Sequence, residues 1–252
     1  MPIELYYLLL LVTGFVAGII NTLAGGGSNL TVPALMVMGM PADVANATNR
    51  VGVLFQSVSA VRGFHQHGKL PWDAVTPIVM PTLIGGALGA LAAVFAPNEI
   101  LKPLLLGTMI AMALVILISP SVVAPGADEK PKTVAESPLG LVGLLFAGFY
   151  GGFVQAGVGF VLLAAITGAL RFDLVRANAL KVICALGFTL VALIIFIIDD
   201  LVAWVPGLVL AVGAIFGAQL AVKFAIKVEQ RVLKWFLLVM TLVASAAALL
   251  SG

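Results

Sequence analysis

The sequence predicts an all-α polytopic membrane protein made of two inverted repeats, each a glycine-broken re-entrant helical hairpin plus three transmembrane helices. Three observations carry this: the composition, the recurrence of long apolar runs, and one offset that lays half of the chain over the other. The 252 residues are 62% hydrophobic and 10% charged. Their mean hydropathy of +1.19 suits a chain solvated by hydrocarbon rather than water.

A helix of roughly 20 apolar residues crosses the ~30 Å core of a bilayer. Eight such runs are read at about 3 to 23, 42 to 63, 74 to 95, 100 to 119, 139 to 156, 174 to 198, 201 to 222 and 232 to 250. Two more apolar pieces, 30 to 38 and 160 to 170, are too short to span. Hydrocarbon offers the backbone no hydrogen-bond partner, so these runs are expected to be helices. Their continuous character argues against a barrel. The first run opens Met1-Pro2-Ile3-Glu4 without a basic segment and is read as a retained helix rather than a cleaved signal. Cys184 stands alone in an apolar run, so neither a disulfide frame nor a multi-cysteine metal site is expected.

A shift of 132 residues places Gly25 and Gly27 on Gly157 and Gly159, Ala45-Asn46-Ala47 on Ala177-Asn178-Ala179, and Trp72 on Trp204. It also pairs Gly85 with Gly217 and Leu101-Lys102 with Leu233-Lys234. Matches among Leu and Ala come cheaply in such a composition; matched Trp, Asn and Lys do not. The chain therefore divides into a first transmembrane repeat (1–119), a polar linker (120–138) and a second transmembrane repeat (139–252). The linker carries four prolines with Asp128, Glu129, Lys130, Lys132 and Glu136.

Loop charges suggest that the repeats are inverted. Lys and Arg near helix ends favour the cytoplasm. The loop from Arg62 to Lys69 is basic, but its counterpart holds Asp199 and Asp200; the loop from Asn98 to Lys102 is nearly balanced, but its counterpart holds Lys223, Lys227, Arg231 and Lys234. Equivalent loops on opposite sides require an odd number of crossings per half. That count follows if each opening unit enters and leaves on one face as a re-entrant hairpin.

The first glycine break reads Ala24-Gly25-Gly26-Gly27-Ser28-Asn29, and the second Gln155-Ala156-Gly157-Val158-Gly159. Such a break leaves amide N–H groups free at a helix start, which together with the positive helix end suits an anion. Tight packing of small residues is the competing account. On the next helix Asn46, Asn49, Arg50 and Ser57 fall on one face with Gln56 beside them, and the repeat-related helix carries Asn178, Lys181 and Thr189. An arginine near mid-membrane costs ~2.5 to 3.5 kcal/mol on insertion scales, so Arg50 should face a cavity or a partner. Arg50 and Lys181 would otherwise snorkel or bond helix carbonyls.

All eleven Asp and Glu lie in loops or near helix ends. With no carboxylate deep in a span, a proton- or sodium-coupled cation carrier is disfavoured. Asp43 and Asp173 are read as helix-dipole partners, and Trp72 and Trp204 as headgroup-level anchors. His65 and His67 make an incomplete metal site and read as a solvated loop. Gln219 either lines a cavity or bridges helices.

The sequence resembles the TauE/SafE family of membrane transporters. The likeness rests on Gly14-Phe15-Val16-Ala17-Gly18, on Ala24 to Ser28 followed by Val32-Pro33, and on Pro41 with Ala45-Asn46-Ala47-Thr48-Asn49. Gly68-Lys69-Leu70-Pro71-Trp72 adds to it, and the resemblance runs through the second half. It implies a multi-pass permease of the bacterial inner membrane, with members linked to export of sulfite, sulfoacetate or related organosulfonates.

The resulting expectation is a secondary transporter, an exporter of a small anion, working by alternating access at the repeat interface. Its candidate substrate-binding residues are Gly25, Gly26, Gly27, Ser28, Asn29, Asn46, Asn49, Arg50, Ser57, Gln155, Gly157, Gly159, Asn178 and Lys181. The alternatives are a proton- or sodium-coupled importer of small anions and a non-transporting accessory subunit. No nucleophile, base and orienter converge in the spans, so no enzyme is expected, and no catalytic residue, cofactor or metal is assigned. The expected partners are the small anion and the lipid bilayer, without nucleic acid, and a homodimer is left open.

Overall fold

The computed structural model describes residues 3–97 and 130–227, together with Glu99, Pro103 and Gly107. Helix α1 spans Ile3–Leu23 and ends at Gly25, whose φ of 98° suits only glycine comfortably. Helix α2, Ser28–Val37, turns back beside α1. Pro41 then opens α3, Ala42–Gln66, and Pro71 opens α4, Trp72–Val94. Proline suits these starts because its missing N–H is one that a helix start leaves unbonded.

The second half follows the same plan. Helix α5, Pro138–Phe153, is capped by the Ser137 hydroxyl, which accepts from the Gly140 amide at 3.1 Å. Helix α6, Val158–Leu163, runs on as a π-helical turn, Ala164–Ala169. Helix α7, Leu174–Ile198, starts at Asp173, whose carboxylate accepts from the amides of Val175 and Arg176 as a side-chain cap. Helix α8 is Trp204–Lys227. Just before α5, the amide and hydroxyl of Thr133 donate to Glu136 at 2.8 and 2.9 Å and hold its carboxyl below the usual range.

Among the described residues four helices, α1, α4, α7 and α8, are long and apolar enough to cross a membrane. Of the eight long segments read from sequence, runs 100 to 119 and 232 to 250, with most of the linker, lie outside the described residues. Two of the other six are not among these four, each for a physical reason. Helix α3 has the length, 25 residues, but Asn46, Asn49, Arg50, Gln56 and Ser57 lower its hydropathy. The run from 139 to 156 stops at Phe153 because Gln155 and Gly157 take φ of 66° and 76°. The two short apolar pieces are α2 and the α6 segment.

Small residues set the packing. Gly14 and Gly18 of α1 lie against Leu210 and Ala214 of α8, and Gly148 and Gly152 of α5 against Thr82 and Gly86 of α4. At each of the four glycines a Cβ would overlap the facing backbone, the close approach that small residues permit between membrane helices. Numbering rises together along both seams, so α1 runs parallel to α8, and α5 to α4. Gly52 against Leu210 and Gly63 against Val222 make α3 parallel to α8 as well. Gly86 against Phe188 and Gly187 against Leu83 align α7 with α4. Helices α1, α3 and α8 thus point one way, and α4, α5 and α7 the other.

Charge divides by end. Arg62, Lys69, Lys132, Arg171, Arg176, Lys223 and Lys227 gather where α3 stops and α4, α5 and α7 start. Glu4, Asp43, Asp199 and Asp200 lie at the opposite end.

Candidate functional site where two broken hairpins meet

The two glycine breaks meet inside the protein. The Gly159 amide donates to the Gly25 carbonyl at 3.3 Å, and a Cβ on either glycine would overlap the other's Cα. Only a residue without a side chain lets these backbones cross so closely. In the first loop the amides of Gly26, Gly27 and Ser28 donate to no backbone carbonyl among the described residues; pairing resumes with Asn29 to Gly26 at 3.1 Å. In the second loop Gln155 sits at φ 66°, a conformation costing a non-glycine residue on the order of 1 kcal/mol. Its side chain is bound on both sides: Nε2 donates to Thr189 Oγ1 at 3.1 Å, and Oε1 accepts from Arg50.

Arg50 is fully buried. Besides Gln155 it donates to the carbonyls of Gly151 and, at 2.8 Å, Gly152, and to Asn46 Oδ1 at 3.3 Å. Its guanidinium lies 5.4 Å from the centre of the Phe196 ring. Gly151 and Gly152 belong to the last turn of α5, so the cation sits on the negative end of that helix and occupies carbonyls the helix leaves open. Asn46 Nδ2 bonds Phe153 O at 2.9 Å and completes the cap.

Lys181 does the reciprocal work. Its Nζ donates to Thr22 O, in the last turn of α1, at 2.9 Å and to Asn178 Oδ1 at 2.7 Å. Each cation therefore closes the broken hairpin of the other half. Of the alternatives left open by the sequence, bonding to helix carbonyls is the arrangement found, and neither side chain snorkels. Among the described residues neither cation touches a carboxylate.

A third group lies at the start of α2. Asn49 donates to Ser28 Oγ at 3.0 Å and accepts from Thr31 Oγ1 at 2.5 Å. Gln56 accepts from Asn21 at 2.9 Å and donates to Thr22 Oγ1 at 3.3 Å. Asn21, Gly27, Ser28, Thr31, Asn49 and Gln56 edge a cavity of about 10 Å³, room for about one water. A polyatomic anion would enter only if the hairpins part. Among the described residues Asn29 Oδ1, Arg50 Nε, Ser57 Oγ and Asn178 Nδ2 are buried without a partner, each on an element that flanks the glycine crossing.

All fourteen candidate residues are buried. The structure joins Gly25 with Gly159, Ser28 with Asn49, Arg50 with Asn46 and Gln155, and Lys181 with Asn178. Ser57 has no hydrogen-bond partner. Asn21, Thr22 and Thr31 were missed; the signal was available, since Asn21-Thr22 are polar residues ending an apolar run and Thr31 lies one turn after Ser28. Gln219 is exposed and edges an open groove at the basic end.

Comparison with known proteins agrees with this architecture. The family model described as "Sulfite exporter TauE/SafE" matches residues 10–248. The chain belongs to the TauE/SafE family. Relatives share its length: a probable membrane transporter protein of Sinorhizobium is 30% identical over 234 residues, covering 92% of this chain and 88% of the relative. A probable membrane transporter protein of Haemophilus influenzae is 28% identical over 238 residues, 94% and 92% of the two chains. The Escherichia coli K12 protein YfcA, also a probable membrane transporter, is 28% identical over 233 residues, 92% and 86%. Like these TauE/SafE relatives, the chain is a multi-pass membrane protein of a transporter family.

Proposed function

We propose that the protein is a secondary carrier that exports a small anion of the sulfite or organosulfonate class across the bacterial inner membrane. The observation that carries this reading is the pair of buried cations, Arg50 and Lys181, held at the two broken hairpins with no carboxylate beside them among the described residues. An anion arriving at the glycine crossing would supply the missing countercharge. The unpaired donors Arg50 Nε and Asn178 Nδ2 and the open amides of Gly26, Gly27 and Ser28 would replace part of its water. The family's description supplies the substrate class.

The two halves are, in this reading, inverted repeats. The opposed directions of α1 and α5, of α3 and α7, and of α4 and α8 support it, as does the one offset of 132 that relates the starts of α3 and α7 and of α4 and α8. The basic end faces the cytoplasm by the distribution of Lys and Arg. Gln66→Cys and Asp200→Cys should then react with an impermeant maleimide from opposite sides of the membrane. Labelling of both from one side would remove the inverted arrangement.

An inside-negative potential favours exit of an anion by ~2.3 kcal/mol per charge per 100 mV, so export requires no proton or sodium site. In proteoliposomes, sulfite or sulfoacetate efflux should rise with an imposed potential when neither a pH nor a sodium gradient is present. Flux that appears only with one of those gradients would favour the coupled importer, and absence of flux for every sulfur oxyanion tested would favour the accessory subunit.

A further inference from the structure

Between the last turns of α3 and α8, at the basic end, lies a cavity of about 360 Å³ edged by Ser59, Arg62, Gln66, His67, Gln219 and Lys223. Arg62 and Lys223 come one from each helix, both are exposed, and no carboxylate lines the groove. Two amide side chains, Gln66 and Gln219, add neutral donors to the two permanent charges. Gly63, packed against the Val222 side chain, brings the helices together behind it.

Depth decides what the groove can hold. Arg62 lies three turns beyond Arg50 on α3, ~18 Å along the axis, which puts it near headgroup level when Arg50 is near mid-membrane. One to two turns deeper, Phe55, Val58, Phe216 and Leu220 of the same two helices are exposed at 41%, 49%, 60% and 52%. A cationic groove continuous with an apolar wall matches a molecule with a phosphate at one end and acyl chains at the other.

We propose that the α3–α8 groove binds an anionic phospholipid, with its phosphate between Arg62 and Lys223 and its chains over Phe216 and Leu220. The site is separate from the glycine crossing and owes nothing to the transported anion. A soluble phosphate would use the same cations but leave the apolar wall bare.

Native mass spectrometry of the full chain in a non-ionic detergent tests this, with phosphatidylglycerol, phosphatidylcholine and soluble glycerol phosphate as probes. Phosphatidylglycerol should be retained over phosphatidylcholine. The pair Arg62→Gln with Lys223→Gln should lower its retention roughly 30-fold, at ~1 kcal/mol for each basic side chain near such a surface. Lys69→Gln with Lys132→Gln removes equal charge from the same end and should leave retention unchanged. Arg62→Lys with Lys223→Arg should keep it, separating lost charge from lost folding. Equal retention of the two lipids, equal losses in the two neutralised pairs, or displacement by glycerol phosphate at the same concentration would each overturn the proposal.

Discussion

Arg50→Ala should abolish transport and destabilise the detergent-solubilised protein by about 3 kcal/mol or more, because it strips the carbonyls of Gly151 and Gly152 and the Gln155 side chain of a shared donor. Each buried polar group left unpaired costs ~1 to 3 kcal/mol, and Gln155 also loses the contact that holds it at positive φ. Arg50→Lys separates the two roles of the side chain. It retains the charge but not the planar fork that reaches several acceptors at once, so stability should fall less than in Arg50→Ala while substrate binding survives in part. Thermal unfolding and proteoliposome flux of both variants provide the check. An Arg50→Ala protein with native unfolding temperature and native flux would show that the guanidinium neither caps α5 nor meets the anion.

The second large effect is expected at the glycine crossing. Gly25→Ala places a methyl group on the Cα of Gly159 and forces alanine to a φ of 98°. Overpacking alone costs ~1 to 3 kcal/mol, and the backbone conformation adds on the order of 1 kcal/mol. The hairpin tips must separate, so both folding yield and flux should collapse. Gly68→Ala is the matched control: its φ of 63° is also positive, but a Cβ there meets nothing within 4 Å. Its cost should stop near ~1 kcal/mol, with flux intact. Equal behaviour of the two variants in unfolding and flux would mean that the contact between the breaks is incidental.

Much of the fold was legible because hydrocarbon solvent leaves few options. The run read at 174 to 198 coincides with Leu174–Ile198, and that at 3 to 23 with Ile3–Leu23. Boundaries failed where backbone conformation rather than hydropathy ends a helix. The run to 156 was overread since Val154 and Ala156 are apolar, while the turn is made by Gln155 and Gly157 at positive φ. Of the fourteen candidate residues, the nine with polar side chains were legible as polar groups in the wrong solvent, and all fourteen are buried. What sequence could not convey was their pairing. Nothing local to Arg50 says that its acceptors lie about a hundred residues away at the end of α5, or that Lys181 serves α1. Those contacts depend on how the halves fit together, and a hydropathy profile holds no such information.

The glycine seams have a mechanical consequence. Helix α1 lies along α8, and α5 along α4, so the broken hairpin of each half is mounted on a strut from the other. The chain is cross-braced: a hinge placed in the linker would tear both hairpins from their struts. Among the described helices, the sliding surface that the proposed transport calls for would run between the set α1, α3 and α8 and the set α4, α5 and α7. Each set draws helices from both halves, and the chain passes between the sets in the loops joining α3 to α4 and α7 to α8.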